Sequence, residues 1–290
     1  MSRLRYLVLL PLAAILAAVE VYPLLISLYF SVTSYQVGGG PFVGLANYIQ
    51  VFSDPRIYYS IGISVAYAAG STLLCLGIGL VLTYIVVQLR RGKSFFESLF
   101  LVPLAVAPIS VGIVWSPSGF WDDISTFVHF ILKLPYIPLM NFLVAFPIII
   151  LSDAWEWSPI IMLVALSVVS GVPREIFEAA SIHGASGLQV FRKIAIPAIL
   201  GSRVMQFIIV LRLIDALRAF EIPFAWSSWL SLPNAGSPID TVSLLLFKLF
   251  SVPVYGFPIS YISAAAMVLL VITLFTSTVL FGLMKRLGKA

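Results

Sequence analysis

The sequence predicts an all-α polytopic membrane protein: one transmembrane domain over residues 1–290, with six membrane-spanning helices and a cytoplasmic loop between the fourth and fifth. Three observations carry this expectation. Apolar residues make up 61% of the chain and charged residues 10%, against roughly 45–50% and about 25% in ordinary globular proteins. Six stretches are long and apolar enough to cross a hydrocarbon layer about 30 Å thick, which takes about 20 helical residues. Lys and Arg are strongly biased to one side of those stretches. With a mean hydropathy of +1.08, the chain has too few charges to cover a soluble surface. Disordered, collagen-like, disulfide-stapled and nucleic-acid-binding classes fit this composition poorly.

The stretches follow in order. Residues 6–32 are broken only by Glu20, and residues 58–87 carry no charge. The third covers 98–115. The fourth, 139–169, carries Asp153 and Glu156, and the fifth, 194–220, carries Arg203, Arg212, Asp215 and Arg218. The sixth, 259–284, is uncharged. Pro103, Pro108, Pro147 and Pro159 fall in the third and fourth, where bends are expected if a pathway opens between helices. Residues 239–257 are interrupted by Lys248 and Pro253 and followed by Pro258, and read as interfacial or re-entrant. Arg3 and Arg5 ahead of an apolar run resemble a signal peptide. The run is too long for one, however, and lacks an A-x-A site between Ala13 and Glu20, so it reads as the first span.

Twelve Lys and Arg residues fall on one side of the spans and only Arg56, Lys133 and Lys248 on the other. The positive-inside bias therefore places both termini in the cytoplasm, in a cell (inner) membrane. Tyr58, Tyr59, Trp115, Trp121, Trp226 and Trp229 gather at the opposite face, as an interfacial belt would. The lone Cys75 excludes an intrachain disulfide and reads as packing.

The loop at 171–197 is longer than a span connection needs. Pro173 suits a first helical turn, and Glu175 and Glu178 suit its positive end. Gly184 can take positive φ and stop the helix, and Ser186 with Gln189 forms a capping-box pattern for a second helix. Ile176, Phe177, Ala179 and Ala180 give a surface suited either to a groove on another protein or to the membrane surface.

Ionisable residues inside spans face a cavity or a partner. Asp153, Glu156 and Trp157 share a helix face, and carboxylates beside an indole suit a sugar. Arg212, Asp215, Arg218 and Glu221 recur every three residues with alternating sign, either as a self-neutralising stripe or on a translocation pathway. No residue stands out as catalytic. Gly92-Lys93-Ser94 lacks the upstream glycine of a phosphate loop, no G-x-S-x-G elbow occurs, and no His, Cys or carboxylate cluster has metal spacing.

Glu178-Ala179-Ala180, then Gly184, then Ile194-Ala195-Ile196-Pro197, resembles the EAA motif of the membrane permeases of binding-protein-dependent ABC importers. Ile196 stands where the family has Leu, and His183 where many members have Asp. Tyr22-Pro23 with Ser27 and Ser31, the stretch Phe42 to Tyr48 (FVGLANY), and Asn234 to Thr241 (NAGSPIDT) resemble the maltose and glycerol-3-phosphate permease group, in particular its first permease subunit. The resemblance implies a type I importer permease without its own ATPase site. Its partners would be a second, non-identical permease subunit, two cytoplasmic ATPase subunits holding ATP and magnesium, and an extracellular or periplasmic solute-binding protein that delivers a sugar. It also implies that Glu178, Ala179, Ala180, Gly184, Ile194 and Pro197 couple the chain to the ATPases, through a coupling helix in this loop. The alternatives are an ion-coupled secondary transporter, which would show inverted repeats, or an ABC permease for a non-sugar solute.

Overall fold

The computed structural model describes residues 11, 14–34, 40–89, 91–133, 135, 141–230, 237–251 and 258–287. Among these residues it is helical, with one antiparallel bridge between Thr33 and Phe42. The chain divides into two compact units, residues 1–60 with 245–274, and residues 61–244 with 275–290.

The first unit begins with α1, Ala14–Ser31. Its side chains are almost all exposed, Glu20 included. A π turn at Ala17–Val21 widens the helix just before Pro23. A second π turn, Phe191–Ala195, lies just before Pro197. In both places the proline ring would clash with the carbonyl four residues earlier, and a locally wider helix relieves that clash. After α1 the chain folds back on itself. Asn47 Nδ2, in α2 (Ala46–Phe52), donates to the carbonyls of Ser31 and Thr33, both at 2.9 Å. Tyr48 Oη lies 2.8 Å from Ser31 Oγ. The FVGLANY stretch thus closes the end of α1, with Gly44 at φ +61° making the turn.

Asp54 precedes α3 (Pro55–Gln88) and accepts from Arg56 at 2.7 Å and from Tyr261 Oη at 2.6 Å. Burial pushes its carboxyl up, but the Arg56 and Tyr261 hydrogen bonds outweigh that and hold it below its ordinary 3.8. A carboxyl lowered in the folded state stabilises it at pH above the ordinary value, and that contribution fades as pH falls through the lowered one. The native chain's thermal stability should therefore fall relative to that of Asp54→Asn as pH drops through and below the ordinary carboxyl value of 3.8. Parallel pH profiles for the two would contradict this.

The second unit holds most of the core. Here α3 packs in parallel on α7 (Phe142–Ser170), which is largely buried and unbroken despite Pro147 and Pro159. Ser158 Oγ donates to the Trp155 carbonyl at 3.1 Å, which Pro159 cannot reach for want of an N–H. Gly79 brings α3 against Ile161, and Gly70 brings it against Ile150. In the sequence between these two helices come α4 (Lys93–Phe100), α5 (Pro108–Val114) and α6 (Phe120–Leu132). The expected third span is therefore not one helix. It breaks into α4, a 3₁₀ turn at Val102–Ala105 and α5, because Pro103 and Pro108 both lack the N–H that would continue the ladder.

Beyond α7 come α8 (Arg174–Ile182), α9 (Gly187–Gly201), α10 (Arg203–Leu217) and α11 (Glu221–Ser227). The expected fifth span is also broken: α9 bends by 70° into α10 at Ser202, where ψ is 130°. The loop's second helix is therefore continuous with the start of that span. Of residues 239–257, those up to 251 are described and hold a short helix, α12 (Val242–Ser251), while residues 252–257 lie outside those described. The last helix, α13, is Ile259–Leu287. Among the described residues, four helices are long and apolar enough to cross a membrane, or five if the bent pair is one span.

The aromatic belt also differs from expectation. Trp226 is fully buried in the core with Tyr67, Ile149 and Leu217, and Trp115 packs in tilted geometry against Trp121 and Trp155, with ring centroids at 5.8 and 5.6 Å. Apolar packing claims these rings, while Tyr58, Tyr59 and Trp229 stay exposed.

Candidate functional site

Two features concentrate the unusual chemistry, and both lie within the second unit. The first is a cavity of about 270 Å³ bordered by α3, α5, α7, α10 and α11. Asp153, Trp157, Arg212, Asp215, Arg218 and Glu221 line it, with Tyr67, Pro108 and the 219–223 turn. Glu156 does not. It is buried on α7, with Oε2 lacking a hydrogen-bond partner.

The floor is a buried ionic network. Arg212 Nη2 donates to Ser71 Oγ at 2.6 Å and to Asp153 Oδ2, and Ser71 Oγ also donates to Asp153. Arg212 Nη1 donates to Asp215 at 2.9 Å. The guanidinium carbon sits 5.0 Å above the Trp157 ring, within cation–π range. The Arg212 side chain is only 2% exposed. One cation thus ties α3, α7 and α10 together, as a buried charge must be paired to persist. Arg218 and Glu221 are exposed at the mouth. They do not continue a helical stripe: α10 ends at Leu217, and Glu221 opens α11. The intervening turn is pinned by Thr241 Oγ1, which donates to the Ala219 carbonyl at 2.7 Å, and by Ser243 Oγ, which donates to the Arg218 carbonyl at 3.1 Å. Within NAGSPIDT, residues 234–236 lie outside those described.

A second, mainly apolar cavity of about 240 Å³ lies further along the same helices. Cys75, Ile160, Ile161, Ile208 and Leu211 line it, and it shares Trp157, Arg212 and Asp215 with the first. Ser71, Tyr67 and Cys75 are the residues that sequence reasoning missed. They sit in a helix whose run of apolar residues carries no periodic signal for any one face.

The second feature is the loop. Glu178, Ala179 and Ala180 lie in α8, which ends at His183 with Gly184 at φ +76°. The Ala185 N–H bonds back to the Ala180 carbonyl at 3.0 Å. His183 Nδ1 lies 2.8 Å from the Ala179 carbonyl, so a proton there caps the helix end. Ser186 and Gln189 form the reciprocal capping box. Ile194 falls in the π turn and Pro197 just after it, in α9. Ile182 is 84% exposed, and Ile176 and Leu188 are also exposed, so the loop is ordered but uncovered.

The fold with these features is that of an ABC importer permease. Over 99% of this chain and 96% of the other, it matches the structure of a bacterial alginate ABC transporter in complex with an alginate pentasaccharide-bound periplasmic protein, with a TM-score of 0.77 at 18% identity. The sequence is 29% identical over 263 residues to the trehalose/maltose transport system permease protein MalF of Thermococcus litoralis, covering 88% of this chain and 86% of MalF. It is 26% identical over 289 residues to the sn-glycerol-3-phosphate transport system permease protein UgpA of Yersinia pseudotuberculosis, covering 98% and 95%. No protein-family model matches the sequence. The chain is thus a multi-pass membrane protein homologous to ABC importer permeases of the carbohydrate type.

Proposed function

We propose that this chain forms part of the translocation pathway of an ATP-driven importer for a sugar or related carbohydrate. An external binding protein delivers the solute, a second, non-identical permease completes the pathway, and two cytoplasmic ATPases holding ATP and magnesium drive it. The observation that carries the reading is the polar cavity inside an apolar bundle. It offers carboxylate acceptors at Asp215 and Glu221 and a ring face at Trp157. Its buried cation is already neutralised by Asp153 and Asp215, which suits a neutral polyhydroxylated solute better than an anion.

The ordered, uncovered α8 loop is the docking element for the ATPases. Exposed Ile176, Ile182 and Leu188 give it an apolar surface on the side of the chain that holds most of the Lys and Arg, which is cytoplasmic by the positive-inside bias. A rigid knob of this kind transmits ATPase closure as a rigid-body motion of the permease.

Reconstitution tests this. Proteoliposomes containing the chain with co-expressed permease, ATPase and binding protein should take up sugar only with ATP. Ion-gradient-driven uptake by this chain alone would establish a secondary transporter instead. Gly184→Val supplies the coupling arm. Its Cβ has open space, but a β-branched residue at φ +76° is strained by about 1–2 kcal/mol. Co-purification with the ATPases should weaken, and the chain's own thermal stability should fall by no more than that strain. Unchanged assembly and uptake would count against the docking role.

A further inference from the structure

We propose that Arg212 is the barrier residue of the pathway, the side chain that separates the polar cavity from the apolar one; this rests on the reading of the bundle as a solute pathway. The two cavities share Arg212, Asp215 and Trp157. The remaining lining residues sort by position along the helices. On α10 the polar cavity takes residues 215 and 216, near the end that leads into α11, whereas the apolar cavity takes Ile208 and Leu211, closer to the α9 bend. On α7 the order is the same: Asp153 borders the polar cavity, and Ile160 and Ile161, nearer the α8 loop, border the apolar one. Arg212 and Trp157 stand where one becomes the other.

The network holds the barrier in place. Arg212 is clamped to Asp153 and Ser71 through Nη2, to Asp215 through Nη1, and to the Trp157 face. Its Nε carries no partner and is fully covered. Beyond it a polar solute would meet isoleucine and leucine rather than hydrogen-bonding groups. Passage requires the guanidinium to swing aside, and that breaks contacts to three helices at once. The clamp therefore couples opening of the pathway to relative movement of α3, α7 and α10.

The chain carries its own reporter. Cys75 is its single cysteine, and it lines the apolar cavity on the far side of Arg212. In the assembled importer, a membrane-impermeant, charged methanethiosulfonate reagent is applied in turn to right-side-out and inside-out vesicles, with Cys75→Ser as background. In the native importer, labelling from the face bearing the polar cavity should be slow. In Arg212→Ala with Asp153→Asn, which removes the bulk of the barrier without stranding the Asp153 charge, labelling from that face should rise about tenfold or more, as when a protected site becomes open. Arg212→Lys should stay protected. Unchanged labelling of the double variant from both faces, with N-ethylmaleimide still reacting at Cys75, would overturn the proposal. So would fast labelling of the native importer from the polar-cavity face. The readout needs no transported sugar, so a wrong solute assignment leaves it intact, and the face from which labelling is gained reports the orientation separately.

Discussion

Replacing Arg212 with Ala should be among the most destabilising single changes in this chain. The substitution removes the only cation in contact with Asp153 among the described residues and leaves that carboxylate buried between α3 and α7 with Ser71 as its remaining donor. Breaking a buried pair in this way costs about 3–5 kcal/mol, because the survivor's desolvation is no longer offset. Removing both charges is a different matter, since an apolar or neutral pair of similar volume is often tolerated. Thermal unfolding of the detergent-solubilised importer should therefore show a large loss for Arg212→Ala, an intermediate one for Asp153→Asn, and recovery in Arg212→Met with Asp153→Asn. The coupling between positions 153 and 212 follows from the double-mutant cycle. A double variant no more stable than Arg212→Ala would show that the pair does not account for the loss.

The second large effect is expected at Gly79. A Cβ there would lie 2.5 Å from the Cβ of Ile161 and 3.0 Å from the Ser158 carbonyl oxygen. Neither atom can withdraw, one being bonded to the backbone and the other part of it. Gly79→Ala must push α3 off α7, and overpacking of this kind costs about 1–3 kcal/mol, more for Gly79→Leu. The displacement also strains the α3 contact of the ionic network, because Ser71 rides on the same helix. Gly62 provides the control. It lies on the same helix with nothing within 4 Å of its Cβ position, so Gly62→Ala should be neutral or stabilising by up to about 1 kcal/mol. Equal effects at the two positions would mean that helix propensity, not close approach, controls the response.

Some features were readable because they depend on residues adjacent in the chain or on transfer free energy added along it. The lengths of the apolar runs marked α3, α7 and α13 to within a few residues. The Ser186 capping box and the left-handed Gly184 are set within a single helical turn. The pairing of Arg212 with Asp215 is likewise an i, i+3 relation visible on a helical wheel. The prolines at 103 and 108 were visible too. Hydropathy ran through them unbroken, however, and a bent single span was expected where the helix breaks into separate pieces.

What required three dimensions was everything that depends on how helices rotate and slide against one another. Ser71 and Asp153 meet Arg212 across sequence separations of 141 and 59 residues. The 70° bend at Ser202 breaks a segment that hydropathy reads as one span, and Trp226 is drawn from an expected interface into the core. A helix apolar on every side carries no stripe from which its rotation could be read. Burial free energy alone made these segments helical and membrane-sized. The choice of which face met which neighbour fell to close packing at glycines and to the need of a few buried charges for partners.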